Sequence, residues 1–166
     1  MRAVIMVFLS GILASGCVST TLTAKTATDK PLSKYGTVVI IPFNANNAIV
    51  EEDKYASLPK TIAARATEHL KENLLEKKSF NKITIADSCT GRAIKVESKI
   101  HSLIHHKGKF EVTVKGIIAD CSTGESLYEF EVEEKDSDSA RLPGNAASKL
   151  ADGILQKLNL KEYGAK

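Results

Sequence analysis

Sulfur is the strongest nucleophile available to this chain, and its three cysteines stand in unlike settings. Cys17 follows Ala14-Ser15-Gly16 at the end of a short apolar run close to the amino terminus, whereas Cys89 and Cys121 lie in polar, turn-rich sequence. A thiolate flanked by small residues is open to covalent modification, so Cys17 is the residue most suited to chemistry. The imidazoles are less so. His101 and His105 share a strand face about 13 Å apart, at a rise of about 3.3 Å per residue, and His106 falls in the following turn. No strand geometry closes them on one metal ion, so they read as surface side chains.

The residues before Cys17 explain its setting. Met1-Arg2 supplies one positive charge, Ala3 to Leu13 is almost uninterrupted apolar sequence, and Ser15-Gly16 is the small pair that a cleavage site needs. An apolar run of about a dozen residues is well short of the ~20 that cross a bilayer as a helix. Residues 1–16 therefore read as a signal peptide. This stretch resembles the lipobox of bacterial lipoprotein precursors, with Ala14 where leucine is usual. The resemblance implies lipidation of Cys17, cleavage before it and acylation of the new amino terminus, and several acyl chains anchor a protein where one binds only marginally. Val18 stands where an aspartate would resemble an inner-membrane retention signal, so the implied location is the periplasmic face of the outer membrane.

Composition narrows the remainder. The 23 Lys and Arg against 20 Asp and Glu leave a net charge of +3, which argues against a nucleic-acid footprint. Aromatic residues make up 5% with no tryptophan, which argues against a stacking platform for bases or sugars. From Cys17 onward the chain is long enough for one domain with a real core.

Residues 17–34 are rich in Thr, Ser, Ala and Lys without apolar periodicity and read as a flexible tether, holding the domain roughly 20 to 25 Å from its anchor. Thr37 to Ile41 is a β-branched run closed by Pro42, a central strand. Ser57 is placed as an N-cap with Pro59 in the first turn, and Ile62, Ala66, Leu70 and Leu74, with Ala63 and Leu75 beside them, make one helical stripe. Lys82 to Ala86 reads as a short strand, completing a parallel strand–helix–strand crossover.

Three alternating segments follow. Ile94, Val96, Ile100 and Ile104, then Phe110, Val112, Val114 and Ile118, then Tyr128, Phe130 and Val132 keep even-numbered residues on the core face. The opposite face carries Lys95, Glu97, Lys99, Lys115, Glu129, Glu131 and Glu133. Because a one-residue slip inverts a strand, this parity predicts a three-residue loop His106-Lys107-Gly108 pairing Ile104 with Phe110 and Ile100 with Val114. It predicts a second hairpin pairing Ile118 with Tyr128, Gly116 with Phe130 and Val114 with Val132, and it sets Lys115 against Glu131. Asn145 is placed as the cap of a last helix with Ala147, Leu150, Ala151, Ile154, Leu155 and Leu158 on one stripe. The expected fold is α+β: a mixed sheet of about five strands, one crossover plus an antiparallel meander, with two helices on one face, over residues 35–160. Residues 161–166 read as a frayed tail.

Cys89 and Cys121 fall at one edge of this layout, with Cys121 opposite Ala93. They form either a disulfide, closing a loop of about thirty residues and contributing roughly 3.5 to 4 kcal/mol, or two buried thiols. Asp120-Cys121-Ser122-Thr123-Gly124 contains the Ser-Thr-Gly of aspartic-protease loops, but the acid is displaced and no second copy supplies a dyad, so it reads as a hairpin turn. No nucleophile elbow or phosphate-cradling glycine loop is present. The reading is of a non-enzyme without cofactor or metal. In element order the chain from Thr37 to Leu160 resembles envelope lipoproteins with a TolB amino-terminal-like or curli-channel-like core. That resemblance implies an accessory role through protein contacts, with an envelope protein as partner and the membrane reached through Cys17. The alternatives are a subunit of an oligomeric lipoprotein assembly or export channel, and a periplasmic hydrolase.

Overall fold

The computed structural model describes residues 20–24 and 32–158. Along the chain come β1 (Thr20–Ala24), β2 (Thr37–Ile40), β3 (Ile49–Val50), α1 (Leu58–Glu76), β4 (Lys82–Ile85), β5 (Ile94–His106), β6 (Lys109–Asp120), β7 (Ser126–Asp136) and α2 (Leu142–Leu158). The strands form one mixed sheet in the order β1-β7-β6-β5-β2-β4, with β3 added beside β5. Both helices pack on one face, so the architecture is α+β in two layers. The leader, Cys17 and the tail 161–166 lie outside the described residues.

β2 runs parallel to both neighbours, β4 and β5. Its Val38 and Ile40 are buried against the helices and Val39 is buried on the other side. This is why a continuous β-branched run was suited to it. Since β4 and β5 flank β2, the connection between them must cross it. It does so away from the helices, where Asp87, Ser88 and Cys89 share a depression with Lys95 and Glu97.

The segment read as a tether is partly built into the domain. Thr20–Ala24 pairs antiparallel with β7, from Thr20 opposite Val132 to Ala24 opposite Tyr128. Leu32 opens a short 3-10 turn and is fully buried. Threonine is as good a strand former as a polar linker residue, and an unpaired β7 edge favours a strand there. The ordered domain thus starts well before residue 35. With β3 included, the sheet has seven strands rather than about five.

The even-numbered parity holds for Ile94, Val96, Ile100, Val112, Val114, Ile118, Tyr128, Phe130 and Val132, all buried. The first hairpin differs from expectation. Ile100 lies opposite Val114, but a bulge between Ile100 and Ser102 shifts the register, so that Ile104 faces Glu111 and His105 faces Phe110. The turn is the two residues Lys107-Gly108, with φ of 50° and 73°, both positive as a type I′ hairpin turn requires. The extra residue at the bulge absorbs the parity conflict that otherwise calls for a three-residue loop. Beyond it Leu103 takes the buried position and Ile104 is only half-buried. The second hairpin has the expected pairs Ile118–Tyr128, Gly116–Phe130 and Val114–Val132.

On α1, Ile62, Ala66, Leu70 and Leu74 are buried, whereas Leu75 is 50% exposed and points out of the stripe. Ser57 precedes the helix with helical backbone angles and makes no capping bond. Thr67 instead ties the helix to the sheet: its hydroxyl donates to the Ala63 carbonyl at 2.8 Å and accepts from the Phe43 N–H at 2.9 Å. α2 starts at Leu142, not after Asn145. Asp138 organises the approach, its carboxylate accepting from the Ala140 N–H at 2.9 Å and its carbonyl from the Arg141 N–H at 3.1 Å. Pro143 suits a first turn, where its missing N–H is no loss. Asn145, inside the helix, donates to Glu134 Oε1 at 3.3 Å.

Gly116 sits in a closely packed part of the sheet. A methyl group there would sit 2.2 Å from the Glu97 carbonyl and 2.4 Å from the Phe130 ring. Phe130 lies across the gap that the missing side chain leaves. Gly116→Ala is therefore expected to destabilise the domain by about 2–3 kcal/mol through overpacking, read as a lower urea midpoint with an unchanged slope; a midpoint equal to wild type would contradict the packing described.

Candidate functional site

The sheet face turned away from the helices carries the densest array of functional groups. Its side chains come from the odd-numbered positions of β5, β6 and β7, because the even-numbered ones are committed to the core. Lys95 and Glu97 pair along β5 at 2.8 Å, Lys115 and Glu131 across β6 and β7 at 3.3 Å, and Lys135 and Glu111 at 2.8 Å. The Glu111 carboxylate raises the Lys135 ammonium above its ordinary range. Lys99 lies opposite Lys115 and has no ion-pair partner among the described residues.

Charge is unevenly spread over this face. β5 carries Lys95, Glu97 and Lys99, β6 Glu111 and Lys115, and β7 the run Glu129, Glu131 and Glu133 followed by Lys135, with Ile117 between Glu97 and Glu129 in the register. Two adjoining depressions mark the β5 side, of about 390 and 350 Å³, and both are lined by Ile41 and Glu97. Lys95, Lys99 and Lys115 line this trough together with Asp87, Glu97 and Asp120, so its walls present both signs of charge beside an apolar patch at Ile41.

One end of the trough is closed by the turn between β6 and β7. Asp120 Oδ1 accepts from the Ser122 N–H at 2.8 Å, the Ser122 hydroxyl at 2.5 Å and the Thr123 N–H at 3.2 Å, while Oδ2 accepts from the Tyr35 hydroxyl at 2.5 Å. The Ser122 and Tyr35 hydroxyls, helped by the backbone N–H groups, hold the Asp120 carboxyl far below the usual carboxylate range. Burial and the bond to Asp120 push the Tyr35 phenol up. Gly124 completes the turn with φ of 72°. Cys121 donates its N–H to the Ala93 carbonyl at 2.9 Å. Its sulfur is bonded to that of Cys89, with the Cα atoms 5.5 Å apart. The disulfide pins the β4–β5 crossing connection to the turn.

The histidines are elsewhere. His69 is on α1 beside Glu72 at 3.1 Å, and His105 accepts or donates at Nδ1 with Glu52 at 3.0 Å. Tyr55, His105 and Phe110 form a ring cluster with centroids 4.6–5.2 Å apart behind the Lys107-Gly108 turn. Lys54, and then His105, hold the Glu52 carboxyl low. Asp120 and Ser122 thus meet without an imidazole, and no group of three metal-ligating side chains converges among the described residues. No helix among those residues is long and apolar enough to cross a membrane. Sequence periodicity located the charged face; the Tyr35–Asp120 bond and the ring cluster join residues far apart in the chain and left no local signal.

No family model matches this chain, and no curated protein matches it in sequence. Solved structures do. A variant of PelC from Paraburkholderia phytofirmans, a dodecamer, shares 16% identity and a TM-score of 0.55, covering 84% of this chain and 95% of that one. PelC in a second crystal form, again a dodecamer, gives 13% identity and a TM-score of 0.52 over 84% and 98%. A protein of Caulobacter crescentus described as a lipoprotein shares 14% identity over 81% and 94%, with a TM-score of 0.38. At such identities the PelC likeness is one of fold, and the third is too distant in shape to carry an argument.

Two outcomes follow from the turn. A carboxylate held low in the folded state stabilises above its unfolded pKa of about 3.9 and loses that contribution as pH falls below it. The stability difference between wild type and Asp120→Asn should therefore be constant near neutrality and shrink towards pH 2 in urea titrations; a difference independent of pH would contradict the assignment. Replacing both Cys89 and Cys121 with serine should cost about 3–4 kcal/mol in the chain-entropy model, and reductant should lower the wild-type midpoint by a similar amount while leaving the double variant unmoved.

Proposed function

We propose that this chain is a lipid-anchored protein of the bacterial envelope that acts without catalysis, docking a protein partner on the open face of its sheet. The observation that carries this reading is the open part of that face, where Lys95 and Lys99 flank Glu97 on β5 and a run of three glutamates, Glu129, Glu131 and Glu133, lies along β7. A run of like charge along one strand steers and orients a partner of the opposite charge. The leader ending in Cys17 supports anchorage, with the periplasmic face of the outer membrane as the site, and the TolB-like or curli-channel-like order of elements is of a kind with it. No residue is assigned a catalytic role.

A second reading is favoured by one observation, that the PelC structures sharing this fold are dodecamers. Here the partner is another copy, Lys99 of one face meeting the β7 glutamates of the next. Such a head-to-tail contact closes into a ring when its rotation permits.

The test is cross-linking in intact cells followed by light scattering on the detergent-solubilised chain. A heteromeric adduct supports the first reading and a defined multiple of the monomer mass the second. Lys99→Glu with Lys115→Glu should reduce either product roughly tenfold or more, as expected when like charges are placed across an interface. Monomer alone in both measurements would overturn the docking proposal.

A further inference from the structure

β1 enters the sheet with Thr20 opposite Val132, which lies opposite Val114, itself opposite Ile100. From that level β6 extends back through Val112 and Phe110 to Lys109 and the Lys107-Gly108 turn, a distance of about 17 Å at the rise of an antiparallel strand. Cys17 stands three residues before Thr20. Fully stretched, that length of chain reaches about 10 Å. Along the strand direction the hairpin tip therefore overreaches any position open to Cys17 by about 7 Å.

We propose that the β5–β6 hairpin tip rests among the headgroups of the lipid bilayer that holds the anchor, as a second membrane contact beside the acyl chains. This rests on the reading of Cys17 as lipidated. With an anchor that short, a sheet standing on the membrane drives its hairpin into the interface. The side chains there suit headgroups. His106, Lys107 and Lys109 are exposed at the outermost point of the sheet. The Tyr55, His105 and Phe110 rings stand directly behind them, and Ile49, on the neighbouring β3, is 57% exposed. Lysine tips with aromatic and aliphatic side chains behind them are the composition of membrane–water interfaces, the ammonium groups meeting phosphate. Acidic groups nearby do not oppose this at the tip. Glu52 is paired with Lys54 and His105 and Glu111 with Lys135, Asp136 opposite Phe110 accepts from the Asp138 N–H at 2.9 Å while Asp138 pairs with Arg141, and the exposed Glu51 and Asp53 lie on the β3–α1 connection rather than on the hairpin.

The chain has no tryptophan, so a single introduced indole reports its own surroundings. The lipidated full chain carrying His106→Trp is reconstituted in phosphatidylethanolamine–phosphatidylglycerol vesicles containing lipids brominated near the top of the acyl chain. Thr90→Trp, in the β4–β5 connection at the other end of the sheet, is the reference. Emission from the hairpin indole should shift to the blue and fall roughly twofold or more, as expected for an indole at headgroup depth, while the reference indole is unaffected. Adding Lys107→Glu and Lys109→Glu should relieve the quenching in chain that still floats with the vesicles. Flotation with equal or no quenching at the two positions would overturn this inference and leave the anchor standing. Failure to float would overturn the anchor reading and this one with it. A blue-shifted hairpin indole in detergent that bromine does not quench would mean that a second copy or another protein covers the tip, and would also overturn it.

Discussion

A strand buries only every second side chain, so β5, β6 and β7 have to agree on which set turns inward. Their agreement is held where Ile100, Val114 and Val132 lie abreast, and everything else in the domain is arranged around that row. On one side of the row Gly116 lets the Phe130 ring cross the sheet. On the other, the bulge after Ile100 changes the parity of β5 so that a two-residue turn can follow. The helices sit on the face this row defines, and the charged residues occupy the other because no other place is left to them.

The two connections around β2 give the domain its sidedness. α1 carries the chain from β2 to β4 over the core face, and residues 86–93 carry it back across β2 on the opposite one. The outer face is consequently half covered: the crossing segment, fixed by the Cys89–Cys121 bond and the Asp120 turn, roofs the β2 end, while the rows from Lys95 to Glu133 stay open. A face that is walled on one side and open on the other would orient whatever docked there, as the proposed function requires.

Much of this was legible from periodicity. Alternation over β5, β6 and β7 and the stripes of α1 and α2 carry the burial of the core directly, and the second hairpin's register follows from parity alone. The first hairpin does not, because parity constrains the sum of loop and bulge and not their division: His101 and the Lys107-Gly108 pair satisfy the same arithmetic as a three-residue loop. β1 and β3 were illegible for another reason. Thr20–Ala24 and Ile49–Val50 are too short and too mixed to show a period, and only the unpaired edges of β7 and β5 make strands of them. Asn145 has a residue type that suits a cap, whereas Asp138 and Pro143 organise the helix start. The site followed the same division, with the charged face visible in the alternation and the Tyr35–Asp120 bond invisible to any local window.

The placement of β1 has a consequence for the order in which the chain can be completed. Its strand partner among the described residues, β7, arrives more than about a hundred residues later, and contacts of such long sequence separation form slowly. The amino-terminal strand must wait, unpaired, while α1 and the meander assemble. Until β7 is in place β1 has no strand to pair with, and that is the interval in which an enzyme acting near the amino terminus would meet it before the sheet is complete.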